Sequence, residues 1–343
     1  MIFDRLRAAG VLGMNARNAE FISRWNPRRL FPLVDDKLRT KQLAEKAGIA
    51  VPPLYGVVRA YHELHHLLAK LAEYQDFVVK PAHGSGGNGI LVISGRAGQR
   101  LVKASGHEIS YEDLEYHVSN ALSGMYSLGG QPDAAMLEYR VAFDPLFENV
   151  AYRGVPDIRT LVYRGVPLMA MVRLPTRASD GRANLHQGAV GAGIDLGSGR
   201  THHAVFRDHP LESHPDTGKP LAGLSIPGWE KLLDLASRCY DLTGLGYLGV
   251  DVVLDGRYGP MMLELNARPG ISIQLANGHG LLPRLGEVDR WLASHKTQPP
   301  VPDRVAFARD RFGEPAPPPP LDVEPKRPKR KPKPDVPEQP KLF

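Results

Sequence analysis

The stretch GVDVVLDGRYGPMMLELNARPG, from Gly249 to Gly270, constrains the fold most, because two apolar runs flank a turn and deliver three oxygen donors to one place. Val250, Val252, Val253 and Leu254 read as a strand, Asp255 to Pro260 as the turn, and Met261 to Leu265 as the returning strand. Such a hairpin brings Asp251, Glu264 and Asn266 together. Glu264 and Asn266 are two residues apart, so on a regular strand they face one side. Hard oxygen donors of this kind suit Mg²⁺ or Mn²⁺, which keep waters and bind through a few carboxylates plus the phosphates of a nucleotide. The competing reading is a surface hairpin with scattered acids, and the rest of the chain decides between them.

Phe77 to Pro81, FVVKP, reads as a buried strand carrying one lysine, Lys80, which then needs a partner. HGSGGNG follows, and its Gly84, Gly86 and Gly89 satisfy G-x-G-x-x-G. A dinucleotide-binding turn requires a helix after the glycines, whereas ILVIS is an apolar, β-branched run that reads as a second strand. The unit is therefore strand, glycine-rich flap and strand. Its main-chain N–H groups can close over phosphates while Lys80 neutralises their charge. A plain hairpin loop is the bland alternative.

Asp35 or Asp36 is placed to cap a helix through Lys37 to Lys46, ended by Gly48, and AVPPLYGVV then gives a strand entered through prolines. Before them lie a short helix around Ala16 to Arg24 and a proline-broken extended stretch, too short for a domain. His62, Glu63 and His66 match the H-E-x-x-H zinc-protease pattern on a helix expected from His62 to Tyr74. No glycine turn or third histidine follows, and Leu64, Leu67, Leu68 and Leu71 make an ordinary apolar face, so the match is set aside. Ser110 and Asp113 form a capping box for a helix from Tyr111 to Leu122. AAMLEYRVAF reads as a strand, and PDIRTLVYRGVPLMAMVRLP as two strands about Gly165. Arg159 and Arg173 alternate there with apolar residues and so point into one cleft, which is costly without an anion. Thr176 to Gly193 reads as an active-site loop, and Pro227 opens a helix to Leu242.

The single cysteine, Cys239, allows no internal disulfide and reads as a buried, inert thiol in a reducing compartment. No apolar run approaches the roughly 20 residues needed to cross a bilayer, and MIFDRLRAAG lacks a signal peptide's apolar core. These features place the protein in the cytoplasm. Of the +6 formal charge, half falls after residue 296, where ten Lys/Arg face seven Asp/Glu among concentrated prolines. That composition predicts a disordered tail over 297–343, solvated or touching an anionic partner through Lys326 to Lys333.

A lysine in a strand, a glycine flap, arginines on later strands and a D…E-x-N hairpin followed by RPG resemble, in that order, the ATP-grasp superfamily. The likeness spans about Asp35 to Leu285 and is nearest to the α-L-glutamate ligase-like branch. DDKLRTKQLAEKAGIAVP, FVVKPAHGSGGNGI, PDIRTLV, RANLHQGA and LELNARPG carry it. The resemblance implies an α+β, ATP-grasp fold with two α+β lobes clasping ATP. The expected division is a truncated N-terminal region (1–34), an N-terminal lobe with the flap (35–132), a C-terminal lobe with the metal site (133–296) and the tail. It implies that Lys37 and Lys80 hold the ATP phosphates under the flap of Gly84, Ser85, Gly86, Gly87 and Gly89. The segment Leu137, Glu138 and Tyr139 supplies the adenine hinge through backbone groups. Asp251, Glu264 and Asn266 bind two Mg²⁺ or Mn²⁺ ions, with Glu264 bridging. Arg159, Arg173 and Asn184 face the γ-phosphate or an acyl-phosphate, with Arg268 joining the catalytic set.

Two departures stand out. Family members commonly carry an N-terminal α/β domain that helps build the acceptor site, where here about 35 residues precede the first ATP-binding motif. Arg140 and Val141 stand where an apolar residue and a ribose-binding acid are expected, which turns attention to Asp144 or Glu148. The implied activity is ATP-dependent carboxylate–amine ligation through an acyl-phosphate, joining a carboxylate acceptor to an amine donor such as an amino acid, peptide or protein. Glutamate addition is one form of it. Phosphoryl transfer to a small hydroxylated molecule and a nucleotide-binding scaffold are the alternatives, NARPG also occurring in a branch associated with sugar-transfer clusters. Self-association as a homo-oligomer is left open.

Overall fold

A computed structural model describes residues 6, 8–64, 71, 73–84, 86–127 and 129–314. Two antiparallel sheets organise them. Strands β1 (Leu54–Val58), β2 (Phe77–Pro81), β3 (Leu91–Ala97), β4 (Arg100–Lys103), β5 (Glu108–Ile109) and β6 (Ala135–Glu138) form the first, in the order β1-β6-β2-β3-β4-β5. The second contains β7 (Asp157–Tyr163), β8 (Val166–Leu174), β9 (Val190–Ile194), β10 (Thr201–Phe206), β11 (His209–Pro210), β12 (Tyr247–Asp255) and β13 (Gly259–Asn266). Its order is β11-β10-β9-β8-β7-β12-β13.

The first sheet buries Val58, Phe77, Val79, Ile93 and Leu137 against Leu114 and Val118 of the Tyr111–Leu122 helix. That helix begins with the expected reciprocal cap, in which Ser110 Oγ accepts from Asp113 N while the Asp113 carboxylate accepts from Ser110 N. The second sheet carries the larger core, including Leu161, Val172, Val250 and Val252, covered by Leu232, Leu233 and Ala236 of the Trp229–Thr243 helix. Cys239 of this helix is fully buried and donates to Leu235 O; burial pushes its thiol pKa up, so it is the inert group expected. Arg164 and Gly165, with φ of 50° and 85°, make the two-residue turn between β7 and β8, a conformation that fits the twist of a hairpin.

Several boundaries differ from the sequence reading, among them the loop expected over Thr176–Gly193, whose last residues from Val190 belong to β9. β6 pairs with both β1 and β2, so the first lobe extends past residue 132 to take it in. The strand expected from AAMLEYRVAF ends at Glu138. Helix Val301–Phe312 falls in the stretch assigned to the tail, yet it buries Arg304, Val305, Ala308 and Phe312 against the second lobe; its apolar spacing was masked by the flanking prolines.

The N-terminal segment also does more than expected. Met14–Ala16, a π-helical turn Arg17–Ile22 and Ser23–Trp25 run on as one helical stretch, and Pro32–Asp35 is helical where an extended chain was expected. Phe21 packs edge-on to Tyr163 with centroids 5.7 Å apart, and Asn26 binds Tyr247 N and O and Ala267 O, flanking the Asp251 hairpin. Residues 315–343, with the basic cluster, lie outside the described residues, as do His66 and most of the helix assigned to His62–Tyr74. Among the described residues, no helix is long and apolar enough to cross a membrane.

Candidate active site

Strand register builds one half of the site. Asp251 on β12 stands opposite Glu264 on β13 and opposite Arg159 on β7, while Asp157 on β7 stands opposite Arg173 on β8. Directly opposed residues share a face of the sheet, so these five side chains form one charged row. Both Asp251 oxygens accept from Arg159, and Oδ2 also accepts from Arg173 Nη2 at 2.8 Å. Arg173 holds Asp157 as well, through Nε and Nη2. Burial opposes ionisation of Asp251, but Arg159 and Arg173 outweigh it and hold the carboxyl at about 2. Burial wins at Asp157, whose pKa rises to about 6 despite Arg173.

The other half comes from the first sheet and the Lys37–Lys46 helix, which Asp36 caps by accepting from Arg39 N at 3.0 Å. Lys80 on β2 pairs with the buried Glu138 on β6, and Lys41 approaches the same carboxylate at 2.6 Å. Lys37 lies one helical turn before Lys41. Its Nζ donates to Gly84 O at the base of the flap and lies 3.4 Å from Glu264, so it ties flap to hairpin. Beside it, His83 N and Nδ1 bind Asp133, which fixes the start of the flap. Gly86, Gly87 and Gly89 have φ of 62°, 80° and 75°, which side-chain-bearing residues rarely adopt. Between the halves is a narrow cleft of about 10 Å³, lined by Val34, Met136, Met262 and Leu263 beside Lys37, Lys41, Lys80 and Glu264.

The sequence matches the family model described as sugar-transfer associated ATP-grasp over residues 16–290. The chain belongs to this ATP-grasp family. The match begins at the N-terminal helix, ahead of the Asp35 start read from the motifs. Similar solved structures include the ATP-grasp ligase PsnB complexed with a minimal precursor, at 14% identity, covering 79% of this chain and 64% of that one with a TM-score of 0.42. D-cycloserine synthetase DcsG is similar at 17% identity, 81% and 79% coverage and a TM-score of 0.42. A RimK domain ATP-grasp protein from Sphaerobacter thermophilus is similar at 13% identity, 76% and 70% coverage and a TM-score of 0.43. The chain thus spans less than two thirds of the PsnB chain. No curated protein matches the sequence.

Within the ATP-grasp frame, the expected residues divide sharply. Lys37, Lys80, Gly84, Asp251, Glu264, Arg159 and Arg173 converge on the cleft and its charged row. Ser85 lies outside the described residues. Asn184 Oδ1 accepts from His186 N at 3.0 Å, capping the Leu185–Gln187 turn of its own loop. Arg268 is turned away from the row; its side chain is 54% exposed, over the Phe31 ring and 3.6 Å from Asp35. Asp144, one of the two acids considered for ribose, caps the Pro145–Phe147 turn with its Oδ1 accepting from Leu146 N, and Glu148, the other, is exposed.

The segment expected to form the adenine hinge is largely held within the sheet. Leu137 and Glu138 lie between two strands, so the sheet consumes their peptide groups, and Tyr139 N donates to Pro53 O. Tyr139 is the first residue beyond both ladders, and Arg140 and Val141 follow it. The Glu138 side chain is an ion-pair partner of Lys80, and the Tyr139 hydroxyl donates to Asp255 at 2.9 Å, bracing the hairpin turn. Burial and Asp255 push that hydroxyl's pKa up to about 12.

Two residues escaped the sequence reading. Lys41 carried a signal, since a lysine one turn after Lys37 shares its helix face. Asp157 is the second residue of the quoted PDIRTLV, and only the β7–β8 register places it beside Arg173.

The donors fit a divalent ion. Asp251 is held ionised opposite Glu264, whose side chain is 39% exposed, and Asn266 follows on the same strand face, its Oδ1 accepting from Arg268 N. Among the described residues no group of three or more His, Cys, Asp or Glu is placed to hold a metal. Two carboxylates and an amide would leave most of a divalent ion's coordination to phosphate and water.

Proposed function

We propose that the protein is an ATP-dependent carboxylate–amine ligase that works through an acyl-phosphate. The observation carrying this reading is Lys37, which links the glycine flap at Gly84 to Glu264 of the oxygen-donor hairpin. In this reading the phosphate-binding and metal-binding elements meet at one point.

The narrow cleft opens so that Val34, Met136, Met262 and Leu263 receive the adenine, and main-chain groups between Tyr139 and Val141 meet its edge. Lys37 and Lys80 neutralise the phosphates, and the flap closes over them to exclude water. Arg159 and Arg173 lower the repulsion between an incoming carboxylate and the γ-phosphate. Asp251, Glu264 and Asn266 hold one or two Mg²⁺ or Mn²⁺ ions, which supply charge neutralisation at the transferring phosphoryl group. A carboxylate oxygen attacks the γ-phosphorus and the bond to ADP breaks. An amine then attacks the acyl carbon, expels phosphate and loses its proton.

The acceptor is a carboxylate of an amino acid, peptide or protein, and a screen for ADP release over paired amines and carboxylates identifies it. With the carboxylate labelled by oxygen-18, one labelled oxygen should appear in the released phosphate. Amide formed with AMP and pyrophosphate overturns the proposal. The family's sugar-transfer association supports a second reading, phosphoryl transfer to a hydroxylated molecule, in which ADP and a stable phosphorylated alcohol form without an amine.

A further inference from the structure

Glu138, at the end of β6, is 2% exposed, and two lysines reach it from different elements. Lys80 comes from β2 onto Oε1, and Lys41 comes from the Lys37–Lys46 helix to 2.6 Å from Oε2. Lys41 is itself 5% exposed and donates to Pro52 O. A buried carboxylate needs one counter-ion, and this one has two. The other named charges match: Lys37 faces Glu264, while Arg159 and Arg173 face Asp251 and Asp157. The surplus positive charge among them sits in the Lys41–Glu138–Lys80 triad.

Lys80 cannot engage a phosphate fully while it remains on Glu138. Were it the sole partner, its departure would leave a buried anion uncompensated, a penalty that would be subtracted from nucleotide affinity. Lys41 removes that penalty. Burial holds its pKa below the ordinary lysine value, with Glu138 working in the opposite direction to keep it charged. We propose that Lys41 is the standing counter-ion of Glu138, a positioning residue that releases Lys80 to the phosphates of a bound nucleoside triphosphate. This rests on the nucleotide-site reading above.

The test is calorimetric titration of the full chain with the non-hydrolysable analogue AMPPNP and Mg²⁺. Lys41→Met should weaken binding by at least about tenfold, because Lys80 is then held as the only partner of Glu138. Lys41→Met combined with Glu138→Gln should return affinity to within about threefold of wild type, since no buried anion remains to hold Lys80. Lys41→Arg should stay close to wild type. Melting temperatures establish that each variant is folded; if Lys41→Met is not, Lys41→Gln, which keeps a donor for Pro52, carries the same comparison. Wild-type affinity in folded Lys41→Met overturns the proposal. So does a loss that Glu138→Gln fails to restore, which would place Lys41 directly on the nucleotide. Absence of binding by the wild type overturns the nucleotide-site reading, and this proposal with it.

Discussion

Asp251 stands directly across the β12–β7 ladder from Arg159 and accepts its guanidinium on both carboxylate oxygens. Arg159→Met leaves Asp251 with Arg173 alone, and Arg173 is already shared with Asp157. Breaking a buried pair from one side strands the other charge, so the variant should lose about 3 kcal/mol of stability. Urea unfolding measures this. Asp251→Asn in the same background should recover part of the loss; an unchanged midpoint in Arg159→Met would show that the pair contributes nothing net.

The two acids of the row have opposite pH signatures. Asp251, depressed to about 2 by its arginines against burial, contributes stability above the unfolded aspartate pKa of about 3.9 and loses it as pH falls toward 2. Asp157, raised to about 6 by burial, contributes its stability below about 3.9 and loses it as pH climbs through 6. Asp157→Asn removes the second effect. Relative to wild type it should gain stability between pH 4 and pH 7, on the order of 2–3 kcal/mol, in parallel urea titrations. A constant difference across that window would assign no titration to Asp157.

Much of this site could be read from the chain because its parts are local. The hairpin, the strand–flap–strand unit and the Ser110–Asp113 box each depend on residues within a few positions, and each is observed. What escaped reading depends on register or on distant packing. Nothing near Asp144 distinguishes a ribose-binding acid from the cap of a turn, and Leu137 and Glu138 lose their free peptide groups only because β1 and β2 flank them. Arg268 is drawn toward Phe31 and Asp35 by an N-terminal segment whose docking has no local signature.

Lys80→Met should leave the fold intact, because Glu138 keeps Lys41 as its counter-ion. Nucleotide binding should weaken by about 2–3 kcal/mol, well over tenfold in the dissociation constant. Calorimetry with AMPPNP reads the affinity, and a scan of melting temperature reads the fold. Unchanged affinity removes Lys80 from the nucleotide site.

Asn26 is 2% exposed and makes three hydrogen bonds, to Tyr247 N and O and to Ala267 O, joining the N-terminal segment to the hairpin that carries Asp251 and Glu264. Asn26→Ala leaves buried main-chain groups unpaired and should cost about 2–4 kcal/mol. Hydrogen exchange should quicken along both the helical stretch before Trp25 and the start of β12. Faster exchange in the helical stretch alone would show that the hairpin is held without this segment.

The pairing of carboxylates with cations also predicts how metal and nucleotide bind. Asp251 is held by Arg159 and Arg173, and Glu264 faces Lys37, so a divalent ion entering alone must displace cations that then have no anion to meet. A triphosphate entering alone must likewise draw those cations away from their carboxylates. When both arrive, carboxylates turn to the metal and cations to the phosphates, and each charge exchanges one partner for another. Mn²⁺ binding, followed by the loss of its free paramagnetic signal, should therefore be weak without nucleotide and at least about tenfold tighter with saturating AMPPNP, with AMPPNP affinity rising reciprocally in Mn²⁺. Beyond the Mn²⁺ that AMPPNP binds in solution, this gain should shrink in Asp251→Asn and Glu264→Gln, which remove the carboxylate side of the exchange. Tight Mn²⁺ binding to the nucleotide-free protein, unaltered by AMPPNP, would mean that the arginines yield Asp251 without compensation and that the two ligands bind independently.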